Sequence, residues 1–174
     1  MLLTHPLAGI AFGLSIGLAS AATANLPVSA QTNEVDSDWS AIYYGKSFQD
    51  SLLVGNDGSA ATGGFATFSL ADMHEVARRT PGRTKAAGVM YDVGQKGKDL
   101  IVSIAATDSV IRVYDIDGTE IPSARKDALG DWDALCTWRS QSGGHYFYLI
   151  GKKQAWQFLV RERMLRLKSS RLVS

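Results

Sequence analysis

The clearest alternation of apolar and polar positions runs from Val110 to Ile121. Val110, Ile111, Val113, Tyr114 and Ile116 are β-branched or aromatic, the composition of a strand. Asp117-Gly118 follows and supplies the positive φ of a type I′ turn, so the stretch predicts a β-hairpin. The pattern recurs. Gly63 to Leu70 has the same look, with Phe68 lying 46 positions before Tyr114, and Ala155 to Val160 echoes it, with Phe158 following by 44. The strands ahead of these keep step as Leu52-Leu53-Val54-Gly55, Leu100-Ile101-Val102-Ser103 and Phe147-Tyr148-Leu149-Ile150. So does a third set, Ala41-Ile42-Tyr43-Tyr44, Gly88-Val89-Met90-Tyr91 and Ala134-Leu135-Cys136-Thr137, whose first members are 47 and then 46 apart. Three strand types recurring in one order, at a period of about 40 to 50 residues, predict the blades of a β-propeller.

On this reading the first blade runs from about Asp38 to Arg79, with Pro81-Gly82 marking the crossing to the second, which covers about Arg83 to Ala124. The third begins near Asp131, passes a turn at Ser140 to Gly144 and has its third strand at Ala155 to Val160. Arg163 to Lys168 shows neither the alternation nor the turn of a fourth strand, so residues 161–174 read as a basic tail. The expectation is an all-β fold, a propeller of four-stranded blades with about three present of an expected six. Propellers close with four to eight blades, and six of this size need roughly 280 residues. Two explanations follow: a portion of a longer protein, or copies that associate to complete a ring. The first is preferred because the tail is unlike the repeat and terminal repeats that stand alone show a cap.

Ahead of the repeats, Leu7 to Leu18 is an apolar run shorter than the roughly 20 residues of a spanning helix, and Ala22-Thr23-Ala24 is an A-x-A cleavage pattern. Residues 1–24 therefore read as a secretory signal peptide, with a membrane anchor as the rival, and 25–37 as a polar lead-in segment. A secreted, extracellular protein follows, with no membrane partner. The sole cysteine, Cys136, sits in an apolar strand and leaves no intramolecular disulfide, so cohesion rests on packing. Residues 161–174 carry a net +4 within a whole of +1, so the body is slightly acidic and nucleic acid is not an expected partner.

Acidic residues gather where strands begin. Asp36 and Asp38 precede the first strand of blade one, and Asp131 and Asp133 precede or open that of blade three; Asp38 and Asp131 are 93 apart and each is followed by tryptophan, Trp39 and Trp132. In a propeller the innermost strands line the central channel, so acids at their starts face a common space, and calcium is held by such convergent oxygens. The plainer explanation is hydrogen bonding in turns, with the tryptophans packed between blades. Arg83, Lys85, Arg139, Lys152 and Lys153 lie near strand starts, where they either grip a polyanion or stand as solvated surface. The glycine-rich Gly55 to Gly64 lacks the Gly-Lys-Ser/Thr close of a phosphate loop and reads as a connection between strands. Asp115-Ile116-Asp117-Gly118 lacks the glutamate of a calcium loop and reads as a turn. His5, His74 and His145 have no metal-binding spacing, and no G-x-S-x-G motif is present.

Val-Tyr-Asp-Ile-Asp-Gly, at the centre of Val110 to Ile121, resembles the repeated blade hairpin of the β-propeller phytases (3-phytases, myo-inositol-hexakisphosphate phosphohydrolases). Asp38-Trp39-Ser40-Ala41-Ile42-Tyr43 is similar to the Asp-Asp-Pro-Ala-Ile-Trp opening of that family, and Gly55 to Phe65 looks like secreted fungal-type members. The resemblance spans about Asp38 to Val160. It implies a six-bladed ring with calcium in its channel, a calcium-activated water attacking the phosphate of phytate, and basic side chains on the other phosphates. Residue by residue, it implies Asp38 and Asp133 as metal ligands and Arg83 and Lys85 as substrate-binding groups. The chain departs from the family at Trp39 and Gly88, where acids are expected, at Thr107, where an arginine is expected, and at Asp57, where a lysine is expected. Two other functions remain open: a non-catalytic propeller displaying loops to a carbohydrate, protein or small molecule, and a lactonase-like propeller enzyme.

Overall fold

A computed structural model describes residues 31–32, 35–93, 97–161 and 166–171. Residues 1–24, read above as a signal peptide, lie outside them, as does most of the lead-in. The fold is all-β: three four-stranded antiparallel sheets, each strand pairing with the next in sequence. The first holds β1 (Ser40–Tyr43), β2 (Leu52–Asp57), β3 (Gly64–Ser69) and β4 (Glu75–Arg79). The second holds β5 (Thr84–Val93), β6 (Lys98–Ala105), β7 (Val110–Asp115) and the short β8 (Lys126–Asp127). The third holds β9 (Trp132–Arg139), β10 (His145–Gly151), β11 (Gln154–Arg161) and β12 (Arg166–Arg171). All three strand sets picked out by the repeat are strands.

Two local expectations need correcting. A fourth strand does complete the third sheet: Arg166–Arg171 pairs along Trp156–Arg161, from Trp156 opposite Arg171 to Arg161 opposite Arg166. Its side-chain pattern is polar, and the ladder comes instead from backbone groups of β11 that need partners. The turn after β7 is also not type I′, which requires positive φ at both central residues. Here Gly118 has φ +85 and Asp117 is not left-handed. Gly118 N–H donates to Asp115 O at 2.8 Å and Asp115 N–H to Thr119 O at 2.8 Å, a three-residue loop closed by a glycine bulge. The Ser140–Gly144 turn uses the same device, with Gly143 at φ +86.

The sheets stand in a row, and the middle one is covered on both faces. Val54 and Phe65 of the first sheet pack with Ala87, Val89, Ile101 and Tyr114 of the second, Phe65 meeting Tyr114 edge-on at 4.8 Å. A larger cluster joins Met90, Leu100, Val102, Ile104, Ile111 and Val113 of the second sheet to Leu135, Phe147, Leu149 and Phe158 of the third. This explains the unbroken apolar run Leu100-Ile101-Val102: alternate residues serve opposite junctions, and each buried side chain contributes about 1.5–3 kcal/mol.

The first strands run side by side in one direction. Tyr43 stacks on Tyr91 at 5.9 Å, and the Thr137 hydroxyl donates to Val89 O at 2.6 Å; both pairs are 48 positions apart. Near their far ends Arg139 meets Asp92 at 2.9 Å. Residues that touch across the sheets are thus about one repeat apart in sequence. The three sheets do not close on one another.

Candidate functional site

The parallel first strands bring their leading ends to one side of the molecule, where the candidate acids and bases lie. Asn56 organises that end. It is fully buried; its Oδ1 accepts from Trp39 N–H at 2.7 Å and from the Ser37 hydroxyl at 3.2 Å, and its Nδ2 donates to Thr84 O at 3.0 Å. One amide therefore ties the start of β1 to the start of β5. Sequence pattern did not single it out, since a lone asparagine inside Gly55 to Gly64 reads as loop. It is instead the fifth residue of β2, paired opposite Phe65.

The next residue, Asp57, is buried and structural. Its carboxylate accepts from Arg78 Nη1 at 3.1 Å and from Ser59 N–H at 3.0 Å, which pins the connection from β2 to β3. Arg78 also clasps Glu75, with Nη2 at 2.7 Å from Oε2. The Arg78 hydrogen bonds hold the Glu75 carboxyl below its ordinary pKa. The glycine-rich stretch is consequently a short six-residue connection, Gly58 to Gly63, between two well-formed strands.

The proposed ligands and grips occupy this end in unequal ways. Asp38 is exposed in the segment leading to β1, and Arg83 is exposed immediately before β5. Its backbone is wedged in place, with its carbonyl accepting from Ala106 N–H at 2.7 Å. Lys85 is half-buried where β5 is irregular between Thr84 and Ala86. Asp133 is half-buried as the second residue of β9. Asp131 is exposed, 3.6 Å from Lys152, and with Lys152, Lys153 and Gln154 it lines a cleft of about 410 Å³. Arg139 is not at a strand start: it closes β9 at the opposite end, beside a cleft of about 310 Å³ lined also by Tyr91, Trp138 and His145.

The Asp-Trp pairs are not equivalent in space. Trp132 is buried, donates Nε1–H to Ala128 O at 2.6 Å and meets Trp156 edge-on at 5.9 Å. Trp39 is exposed. Cys136, expected inside an apolar strand, is on β9 but exposed, because that side of the third sheet has no covering layer among the described residues.

Carboxylate oxygens are the right donors for calcium, which takes 6–8 of them with carbonyls and waters. Yet among the described residues no group of three or more His, Cys, Asp or Glu stands together to hold a metal ion. Asp38 leads into the first sheet and Asp133 lies on the third, with β5 between β1 and β9. The described residues therefore do not make a complete calcium site. Gly88 has a structural reason for its lack of a carboxylate. A Cβ there would lie 2.7 Å from Leu135 Cδ2 and 3.2 Å from Thr137 Cγ2, so β9 packs directly on the β5 backbone. Thr107 borders the phosphate-grip candidates, with Oγ1 2.7 Å from where a Cβ on Gly82 would stand, but it is too short to reach far into solvent.

No protein-family model matches the chain, and no curated protein does. Any functional reading rests on the residues themselves. Among the described residues no helix is long and apolar enough to cross a membrane.

Proposed function

We propose that the chain is a three-blade part of a β-propeller of the phytase type, a phosphomonoester hydrolase acting on myo-inositol hexakisphosphate. The observation that supports this best is the set of parallel first strands, whose leading ends carry Asp38, Arg83, Lys85, Asp131 and Asp133 on one side of the three sheets. In this reading Arg83 and Lys85 bind substrate phosphates, arginine offering the two parallel N–H donors that suit a phosphate. Asp38 and Asp133 are hard oxygen donors for calcium, completed by oxygens beyond the described residues, and no step of the reaction is derived through the ion. The protein is secreted, with residues 1–24 removed, which amino-terminal sequencing of the exported chain tests.

Phosphate release from phytate by the full chain, measured with added calcium and with a chelator, decides the matter. Release above the chelated control is expected, and Arg83→Ala raises KM by roughly tenfold or more, since a hydrogen bond to a charged group is worth about 1.5–3 kcal/mol. No release above the control sinks the hydrolase. The absence of a three-acid group among the described residues favours a second reading, a module that binds a small phosphorylated or carbohydrate ligand without turning it over. Calorimetric binding of phytate with no phosphate release supports that one, whereas lactone hydrolysis without phosphate release points to a lactonase-like enzyme.

A further inference from the structure

The first junction between sheets differs from the second at one buried position. Strand register makes Asn56 the counterpart of Ile104. Ser40 pairs with Gly55 and Ala87 with Ser103, and the residues that follow, Asn56 and Ile104, lie opposite Phe65 and Ile111. Both are fully buried. The second junction is packed there by an aliphatic side chain, so packing alone asks for no amide. A buried amide is tolerated when its groups find partners, and those of Asn56 lie on two different strands. The partners also fix which way it points, since a backbone N–H must face Oδ1 and a carbonyl must face Nδ2.

The two peptides that Asn56 grips are the ones beside the candidate ligand-binding groups. The Trp39 N–H belongs to the peptide plane shared with Asp38, and the Thr84 carbonyl to the plane shared with Lys85. Regular pairing holds neither Asp38 nor Lys85. The register of β1 with β2 starts at Ser40, after Asp38. Thr84 lies opposite Ala105 and Ala86 opposite Ile104, which leaves Lys85 as the extra residue of a β-bulge. A bulge re-aims the side chain it carries, and here the carbonyl leading into it is held by Asn56 Nδ2. We propose that Asn56 is a positioning residue for polyanion binding: one amide fixes the Asp38–Trp39 and Thr84–Lys85 peptides together and so sets where the Lys85 ammonium stands relative to the Asp38 carboxylate. The inference rests on the reading of this end as the phosphate-binding one, and it assigns to the tie between sheets the aim of the groups on either side of it.

Calorimetric titration of the full chain with phytate, in chelator so that nothing turns over, tests it. Asn56→Leu keeps the branched shape of the side chain and removes both hydrogen bonds, and it is titrated at a temperature where circular dichroism shows it folded. Its Kd is expected to rise roughly tenfold. Lys85→Ala raises Kd by roughly tenfold in the wild type. In Asn56→Leu the same change costs less than about threefold, because residues acting as one unit are not additive. Tyr91→Phe is the control: it cuts the tie between β1 and β5 at their far ends, so it lowers the melt and leaves Kd unchanged. Should Asn56→Leu not fold, hydrogen exchange at the wild-type Trp39 amide answers the same question, and phytate at about 100 times Kd slows it by more than about tenfold. A folded Asn56→Leu that binds as the wild type does overturns the proposal. So does a Lys85→Ala cost that is the same in both backgrounds, a Tyr91→Phe that weakens binding as much as Asn56→Leu, or a Trp39 exchange rate that phytate leaves alone. A wild type that binds no phytate, with calcium or with chelator, instead removes the reading of this end, and the proposal falls with it.

Discussion

Asn56 makes the sharpest residue-scale prediction. Asn56→Ala leaves the Trp39 amide and the Thr84 carbonyl without their buried partner, and each such loss costs about 1–3 kcal/mol, so the urea midpoint falls markedly. Asn56→Asp restores only the acceptor and places a charge in a buried site, so it fails to recover the wild-type midpoint. Gly64 is equally exacting. A Cβ there would sit 1.7 Å from the carbonyl oxygen of Arg79, a backbone atom that cannot swing aside, and Gly64→Ala is expected to destabilise by more than about 2 kcal/mol in the same assay. The pH dependence follows from carboxylates that arginines hold low. Hydrogen bonds from Arg112 depress Asp108, those from Arg125 depress Glu120, and those from Arg78 depress Glu75. A carboxyl whose folded pKa lies below its unfolded value contributes fully above that unfolded value and loses the contribution as pH falls through the folded one. The stability these three carboxylates contribute is therefore constant between about pH 7 and 5 and falls away below about pH 4, where ordinary carboxylates take up protons, which urea melts measure. These roles were hard to read in sequence. Asn56 and Asp57 sit among glycines and alanines, and only the fold shows that both are buried at a junction.

At the scale of elements, the middle sheet carries the molecule. Ile104 faces the third sheet and is fully buried, so Ile104→Ala costs about 2–5 kcal/mol, whereas Val76→Ala, at an exposed position of β4, stays within about 0.5 kcal/mol; denaturant midpoints compare them directly. Tyr91 joins the first two sheets through its hydroxyl, which accepts from Tyr44 N–H at 2.8 Å and donates to Ile42 O at 2.9 Å. Tyr91→Phe keeps the ring stacked on Tyr43 and loses about 1 kcal/mol. The strands that carry apolar residues on both faces were legible from the repeat, because burial on two sides demands a side chain pattern that sequence displays. β12 and β8 were not. Arg166-Leu167-Lys168-Ser169-Ser170-Arg171 and Lys126-Asp127 are polar, and they are strands because an edge of unpaired N–H and C=O groups lies beside them.

For the molecule as a whole, the exposed Ile42 face of the first sheet and the exposed Ile150 face of the third belong to one pattern, and a charge placed at either leaves the buried core untouched. The module length, the all-β class and the three recurring strand sets were legible in the sequence alone. The reason is that alternation, β-branched runs and glycine turns act over a few residues and survive in any context. Only the tertiary structure decided that residues 48 positions apart touch, that Asp38 and Asp133 are parted by β5, and that Ile42 and Ile150 are left uncovered. Those outcomes depend on which sheet packs against which, a choice made by long-range contacts between faces whose apolar patterns, read locally, are much the same.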